Sequence, residues 1–237
     1  MGSCTVSLNF ESDNYFLCDA NADLVNFFST ITTNDKDYLL TLANGYFTAE
    51  YESYYTIRDL FNNEPVWSVK RAAMFLYLNK FGFNGLCRYN KSGKFNVPIG
   101  KSASPVRLPK QLIHTCSDKL KFASFNNYDF RQTFKLTESI NDDLGVLIYC
   151  DSPYVPLTTE FNYTADWFKE QDHVDLKDLS KSSKHTVILS NHLTDFTKEL
   201  YKDADEVYTV DVQRTISCSG SERKKVQEMI VVYKGEK

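Results

Sequence analysis

The sequence predicts an α/β fold in which a largely parallel sheet is covered on both faces by helices and interrupted by a mainly helical insertion. Three observations lead there. Short apolar runs alternate with helix-patterned stretches. Two of those runs stop abruptly at an aspartate: Tyr15-Phe16-Leu17-Cys18 at Asp19, and Val146-Leu147-Ile148-Tyr149-Cys150 at Asp151. The carboxyl ends of strands are where open α/β sheets place their ligands. Between these runs lies an irregular, strongly basic segment unlike its neighbours.

Taken in order, residues 15–18 form a short strand, and a helix starting at Asn21 or Ala22 runs through Leu24, Val25 and Phe28. Residues 37–47 and 55–61 are helical. Residues 69–81 make a stronger helix, with Met74, Phe75, Leu78 and Phe81 along one face. Residues 82–107 are rich in Gly, Asn, Pro and Ser and predict irregular backbone. Pro109 opens a helix to about residue 120, and residues 122–125 are a short strand. Residues 144–150 are the clearest buried strand. Residues 155–171 read as a loop bearing Phe161, Tyr163, Trp167 and Phe168. A helix over 172–179, a strand over 185–189 and a helix over 194–201 follow. Residues 206–212 and 228–233 then pair antiparallel across a Ser, Arg and Lys-rich loop. The predicted core is residues 1–50 and 126–237, and the insertion is residues 51–125.

The chain has 237 residues, 42% of them hydrophobic and 24% charged, enough for one large core or two small ones. No apolar run reaches the roughly 18–20 residues of a membrane helix, and the N-terminus lacks the basic and hydrophobic regions of a signal peptide. A cytoplasmic protein without membrane partners is expected. Six scattered cysteines show no CxxC pair and no histidine at zinc-ligand spacing, so buried free thiols and no metal centre are expected. His114, His173 and His185 read as surface or packing residues. His192 stands out only because it follows Ser190-Asn191 at a strand end.

A net charge of −4 argues at first against a nucleic-acid partner. The charge is uneven, however. Residues 1–65 hold 2 basic and 10 acidic side chains, and residues 116–237 hold 16 basic and 21 acidic. Residues 67–115 hold 9 basic side chains (Lys70, Arg71, Lys80, Arg88, Lys91, Lys94, Lys101, Arg107, Lys110) and no acidic one. A polyanion responds to local potential, so DNA and RNA remain candidates beside a plain solvated surface. At the strand ends, Asp19 can accept from ribose hydroxyls, and Asp151 from an exocyclic amine while Tyr154 stacks on its base. For either aspartate a cap or turn role is equally compatible.

The run Leu76-Tyr77-Leu78-Asn79-Lys80-Phe81-Gly82-Phe83-Asn84-Gly85-Leu86-Cys87-Arg88-Tyr89-Asn90, continued by Gly93, Phe95-Asn96-Val97-Pro98 and Gly100, resembles the Dam-type DNA adenine-N6 methyltransferases. The likeness extends more weakly over nearly the whole chain. It implies a Rossmann-like class I methyltransferase core with a target-recognition insertion, acting on adenine in double-stranded DNA, with GATC as target and S-adenosylmethionine as cofactor. Within it, Asp151-Ser152-Pro153-Tyr154 matches the catalytic Asp-Pro-Pro-Tyr. There the aspartate and the carbonyl of residue 152 accept from the amino group of a flipped adenine, and the tyrosine stacks on the base. Asp19 and Gly2 match cofactor-side positions, with Asp151 a third. Asn84, Arg88 and Pro98 match DNA-contacting positions, Arg88 being suited to a guanine edge. Lys91, Lys94 and Lys101 suit phosphates. Arg214, Ser217, Arg223 and Lys224 match a second DNA-facing loop.

Two departures accompany the resemblance. Ser152 replaces the first proline of the tetrad, which keeps the carbonyl and removes a rigidifying ring. The N-terminus resembles only the tail of the family's Phe-x-Gly-x-Gly loop, with Cys4 where the next glycine falls, so a missing cofactor-binding segment is expected. Ser102 also stands where the family carries an aromatic residue. The alternative function is a catalytically impaired, methyltransferase-like DNA-binding or interaction protein.

Overall fold

The computed structural model describes residues 1–49, 53–102, 104–140, 145–157, 168–213 and 225–235. They make two compact units, Met1–Asp129 and Phe130–Lys237.

The first unit contains α1 (Thr5–Asn9), β1 (Tyr15–Cys18), α2 (Ala22–Ile31), α3 (Lys36–Thr48), α4 (Tyr54–Asn63), α5 (Val69–Phe81), a 3-10 turn at Phe83–Gly85, α6 (Lys110–Lys119) and β2 (Ala123–Asn126). β1 and β2 pair in parallel, from Tyr15 opposite Ala123 to Cys18 opposite Asn126. The helix α5 is the unit's centre, with α2, α3 and α4 packed on it. It starts where the Ser68 hydroxyl accepts from the Arg71 amide at 3.0 Å, satisfying one of the unpaired N–H groups of a first turn. Every residue from 71 to 78 is buried. Its far end is aromatic: Tyr77 stacks on Phe81 at 4.4 Å, and Phe47 meets both rings edge-on.

That burial corrects the charge argument at one residue. Arg71 faces inward, and its guanidinium donates to the Asp23 carboxylate at 2.6 and 3.2 Å and to the carbonyls of Phe61 and Glu64 at 2.6 and 2.7 Å. Burial excludes it from any phosphate, and Lys70 is 3.3 Å from Glu64. A cation at the edge of an apolar run, with an acidic residue 48 positions earlier, signals such a buried pair only in retrospect.

The second unit contains α7 (Phe130–Thr137), β3 (Leu147–Cys150), α8 (Glu170–Ser182), β4 (Thr186–His192), α9 (Asp195–Leu200), β5 (Glu206–Gln213) and β6 (Lys225–Tyr233). Its sheet has the order β3-β4-β6-β5. β3 and β4 are parallel, and β6 is antiparallel to both β4 and β5, as expected of the C-terminal pair. The core joins Phe134 of α7 and Leu176 of α8 to Ile148, Val187, Leu189, Met229, Val231 and Tyr233 of the sheet.

The expected elements recur with informative shifts, but the described strands do not form one largely parallel sheet: β1 pairs with β2, and in the four-stranded sheet only β3 and β4 are parallel, because β6 returns antiparallel between β4 and β5. Gly145 adopts φ +62°, which an extended strand cannot, so β3 starts at Leu147. β4 runs three residues beyond its expected end because Ser190, Asn191 and His192 pair with Ile230, Met229 and Glu228. The helix α8 starts at Glu170, where the Asp172 carboxylate accepts from the Lys169 amide at 2.6 Å. The helices α1 and α7 are too short to show a period; α7 buries only Phe134 and Thr137. Cys4 and Cys116 are buried free thiols, Cys18 and Cys150 are half-buried, and Cys87 is exposed in the irregular segment, against expectation. Among the described residues no helix is long and apolar enough to cross a membrane. Phe161, Tyr163 and Trp167 lie outside the described residues.

Candidate functional site

In the first unit the basic segment forms an arm over residues 82–100. Two antiparallel bridges, Gly82 to Ile99 and Tyr89 to Phe95, fold it back on itself. At its tip the Asn90 carboxamide oxygen accepts from the Ser92 amide, the Ser92 hydroxyl and the Lys94 amide at 3.0, 2.8 and 3.0 Å. Gly93 completes this reversal at φ +72°, a conformation costly for a residue with a Cβ. At the base the two limbs cross closely: a Cβ on Gly82 would lie 2.5 Å from the Leu78 carbonyl oxygen, and one on Gly100 2.9 Å from that of Gly82.

The return limb is pinned to α4. Asn62 both donates to the Phe95 carbonyl at 3.1 Å and accepts from the Phe95 amide at 2.8 Å. Tyr54 and Arg58 donate to the Val97 carbonyl at 3.1 and 3.2 Å. Phe95 and Val97 are buried, and Phe95 meets Phe61 and Tyr89 edge-on. Tyr89 reaches further: its hydroxyl donates to Asp23 at 2.6 Å, joining the buried Asp23–Arg71 pair. Burial and the Asp23 charge hold that phenol far above the usual tyrosine range, so it stays a donor.

With the frame buried, the expected DNA-facing residues of this segment emerge outward. Asn84, Arg88, Lys91, Lys94, Pro98 and Lys101 are exposed. Asn84 takes φ +52° in the 3-10 turn, a left-handed conformation that asparagine tolerates better than most residues. The Arg88 guanidinium is oriented by Asn96, donating from Nε to Oδ1 at 2.8 Å and from Nη2 to the carbonyl at 3.2 Å. The second expected DNA loop, Arg214, Ser217, Arg223 and Lys224, lies outside the described residues.

At the end of β1 the structure brings Gly2 and Asp19 together. One Asp19 oxygen accepts from the Gly2 amide at 2.9 Å, with the Met1 ammonium 3.7 Å away, and the other accepts from the Asn21 amide at 2.8 Å. Asn21 in turn caps α2. Cys4 follows at φ +57°, so the position keeps a glycine-like conformation although it bears a side chain. Burial pushes the Cys4 thiol up to about 12, which leaves it protonated and unreactive. A carboxylate offers about four acceptor positions, and the two amide bonds leave capacity for further donors such as hydroxyls.

In the second unit Asp151, Ser152, Pro153 and Tyr154 leave the end of β3. Tyr149 donates to the Ser190 hydroxyl at 3.0 Å, and Ser190 donates to Asp151 at 3.4 Å. Asn191 accepts from the Val155 amide at 2.8 Å. His192 contacts the Val155 carbonyl at 2.6 Å through Nδ1 and meets the Tyr154 ring edge-on, 4.9 Å between centroids and 87° between planes. Burial pushes the Tyr154 hydroxyl up to about 12. Asp151 is exposed and Tyr154 half-buried, so both offer surface to a ligand. In the sequence, Ser190, Asn191 and His192 are marked only by polarity at the end of an apolar run, and no local pattern assigns them to the turn. Among the described residues no group of three or more His, Cys, Asp or Glu side chains comes together as a metal site.

Comparison with known proteins gives this geometry a context. The profile of the D12 class of N6 adenine-specific DNA methyltransferases matches residues 1–216. A DNA adenine methylase of Vibrio cholerae is 37% identical over 98% of this chain and 84% of its own length. One from Haemophilus influenzae is 37% identical over 100% and 84%. One from Escherichia coli K12 is 35% identical over 99% and 84%.

Proposed function

The chain belongs to the D12 class of N6 adenine-specific DNA methyltransferases, and from that premise we propose that it methylates adenine in double-stranded DNA, within GATC, using S-adenosylmethionine. The observation that carries the reading is the turn 151–154 at the carboxyl end of β3, which exposes a carboxylate beside a half-buried aromatic ring. Tyr154 stacks on the flipped target base, and Asp151 with the Ser152 carbonyl accepts from its amino group. Those contacts orient the nitrogen lone pair, and orientation is the turn's main contribution to rate.

The cofactor supplies an activated methyl group on sulfur. Gly2, Asp19 and Asp151 are the residues proposed to hold it. The donor chemistry at Asp19 fits: its carboxylate is partly accessible and keeps acceptor capacity beyond its two amide partners.

Residues 51–125 are proposed as the target-recognition insertion, and residues 1–50 and 126–237 as a Rossmann-like core. Arg88 reads a guanine edge with the donors that Asn96 leaves over, Asn84 and Pro98 lie against bases, and Lys91, Lys94 and Lys101 neutralise phosphates. Arg214, Ser217, Arg223 and Lys224 are proposed to extend the DNA surface. Action on DNA in the cytoplasm completes the reading.

Transfer of labelled methyl from S-adenosylmethionine to unmethylated duplex DNA is the test. Wild-type protein is expected to label DNA containing GATC, and Asp151→Ala to label none. Wild-type protein that binds DNA yet never exceeds the Asp151→Ala level contradicts the proposal.

A further inference from the structure

β4 outruns its parallel neighbour. Cys150, the last residue of β3, pairs with Leu189, whereas β4 continues through Ser190, Asn191 and His192 along β6. Past Cys150 the chain no longer follows β4 as a strand, so its backbone polar groups need other partners. Val155 is buried, and both its amide and its carbonyl are satisfied by side chains of that overhang, Asn191 at 2.8 Å and His192 at 2.6 Å. A carbonyl oxygen can only accept, so His192 Nδ1 carries the proton. The same imidazole, itself 5% exposed, stands edge-on to Tyr154 at 87°.

We propose that His192 is a positioning residue for methyl transfer. It sets the plane of the Tyr154 ring on which the target adenine stacks, and with Asn191 it anchors the outgoing end of the turn at Val155. This rests on the functional reading above and deepens it. Two contacts from one rigid side chain fix two different parameters. The hydrogen bond holds the backbone just after Tyr154, and the T-shaped contact restricts rotation of its ring. The turn needs such outside support because Ser152 leaves its backbone freer than a proline would. Ser190 holds the other end through Asp151, so three successive residues of one strand pin the turn at both ends.

The test compares wild type, His192→Ala and His192→Phe by steady-state kinetics and by fluorescence of 2-aminopurine placed at the target position of a GATC duplex. His192→Ala is expected to lower kcat about 10–100-fold, because small misplacements at a reacting centre carry penalties of that order, while KM for DNA stays unchanged. Its 2-aminopurine emission in the complex should differ from wild type. His192→Phe restores an aromatic edge beside Tyr154 and should return that emission toward wild type, with kcat still reduced because the Val155 carbonyl has lost its donor. Equal kcat and emission in wild type and a folded His192→Ala overturns the inference. So does a loss of kcat that follows the folded fraction alone with emission unchanged. Should wild-type protein transfer no methyl, the functional reading fails, and the emission comparison still decides the positioning role.

Discussion

The arm over residues 82–100 and the turn over residues 151–154 both present exposed functional groups, and they are held in opposite ways. The arm is gripped from a distance. Asn62, Tyr54 and Arg58 of α4 bind its backbone, Phe95 and Val97 sink into the first unit's core, and Tyr89 ties it to the buried Asp23–Arg71 pair. The turn is gripped by one neighbour, through three successive side chains of β4. A recognition surface must hold many exposed side chains in register over a long loop, which takes a distributed frame. A reacting centre needs a few atoms placed finely, which one adjacent strand can supply.

The sharpest contrast lies in what a lesion does to each region. Replacing Asp151 with alanine should cut methyl transfer on the order of 10³-fold or more, since it removes the acceptor proposed for the target amino group, while thermal stability and DNA affinity stay near wild type. Labelled-methyl assays beside melting curves read this directly. In the arm's frame the large effect is on folding. Asp23→Ala strands the buried Arg71 charge and should cost about 3–5 kcal/mol, seen as a lower urea midpoint. An unchanged midpoint would break the claim that the arm depends on a buried pair far from it in sequence.

Smaller changes refine the picture. Gly82→Ala forces a Cβ onto the Leu78 carbonyl and should destabilise the arm's base by about 1–3 kcal/mol, read from urea unfolding. Arg88→Ala leaves the fold intact and should relax sequence discrimination by about 1–3 kcal/mol, measured as the ratio of transfer to GATC and to single-base variants of it. An unchanged ratio removes Arg88 from base reading.

A further effect is one of pH, in the second unit. His173 is buried against Phe168 and Phe196, and burial lowers its pKa to about 4. The unfolded chain then binds a proton near pH 6.5 that the folded chain refuses until about 4, so stability is full above pH 6.5 and declines as pH falls through that window. His173→Phe should flatten the decline in melting temperature between pH 7 and 5.

Much of this organisation was legible in the amino-acid sequence. The strand ends at Asp19 and Asp151, the helix over residues 69–81 and the terminal antiparallel pair declare themselves through period, length and abrupt polarity changes. So does the outward set on the arm, where Gly, Asn and Pro separate the cations. The frames did not declare themselves, for a physical reason. Asp23 with Arg71, Asn62 with Phe95 and Asn191 with Val155 are pairs between residues 33 to 48 positions apart, and no local pattern encodes which polar side chain will meet which backbone group. By sequence alone Arg71 is therefore indistinguishable from the other cations of residues 67–115. Asn191 and His192 were visible as polar, not as partners of the turn.

One experiment weighs both regions together. Labelled-methyl transfer with sequencing of the modified positions is run on wild type, Asp151→Ala and Arg88→Ala. The expected outcome is GATC-restricted transfer by wild type, no transfer by Asp151→Ala despite retained DNA binding, and weaker, less selective transfer by Arg88→Ala. Transfer by Asp151→Ala at the wild-type rate would contradict it.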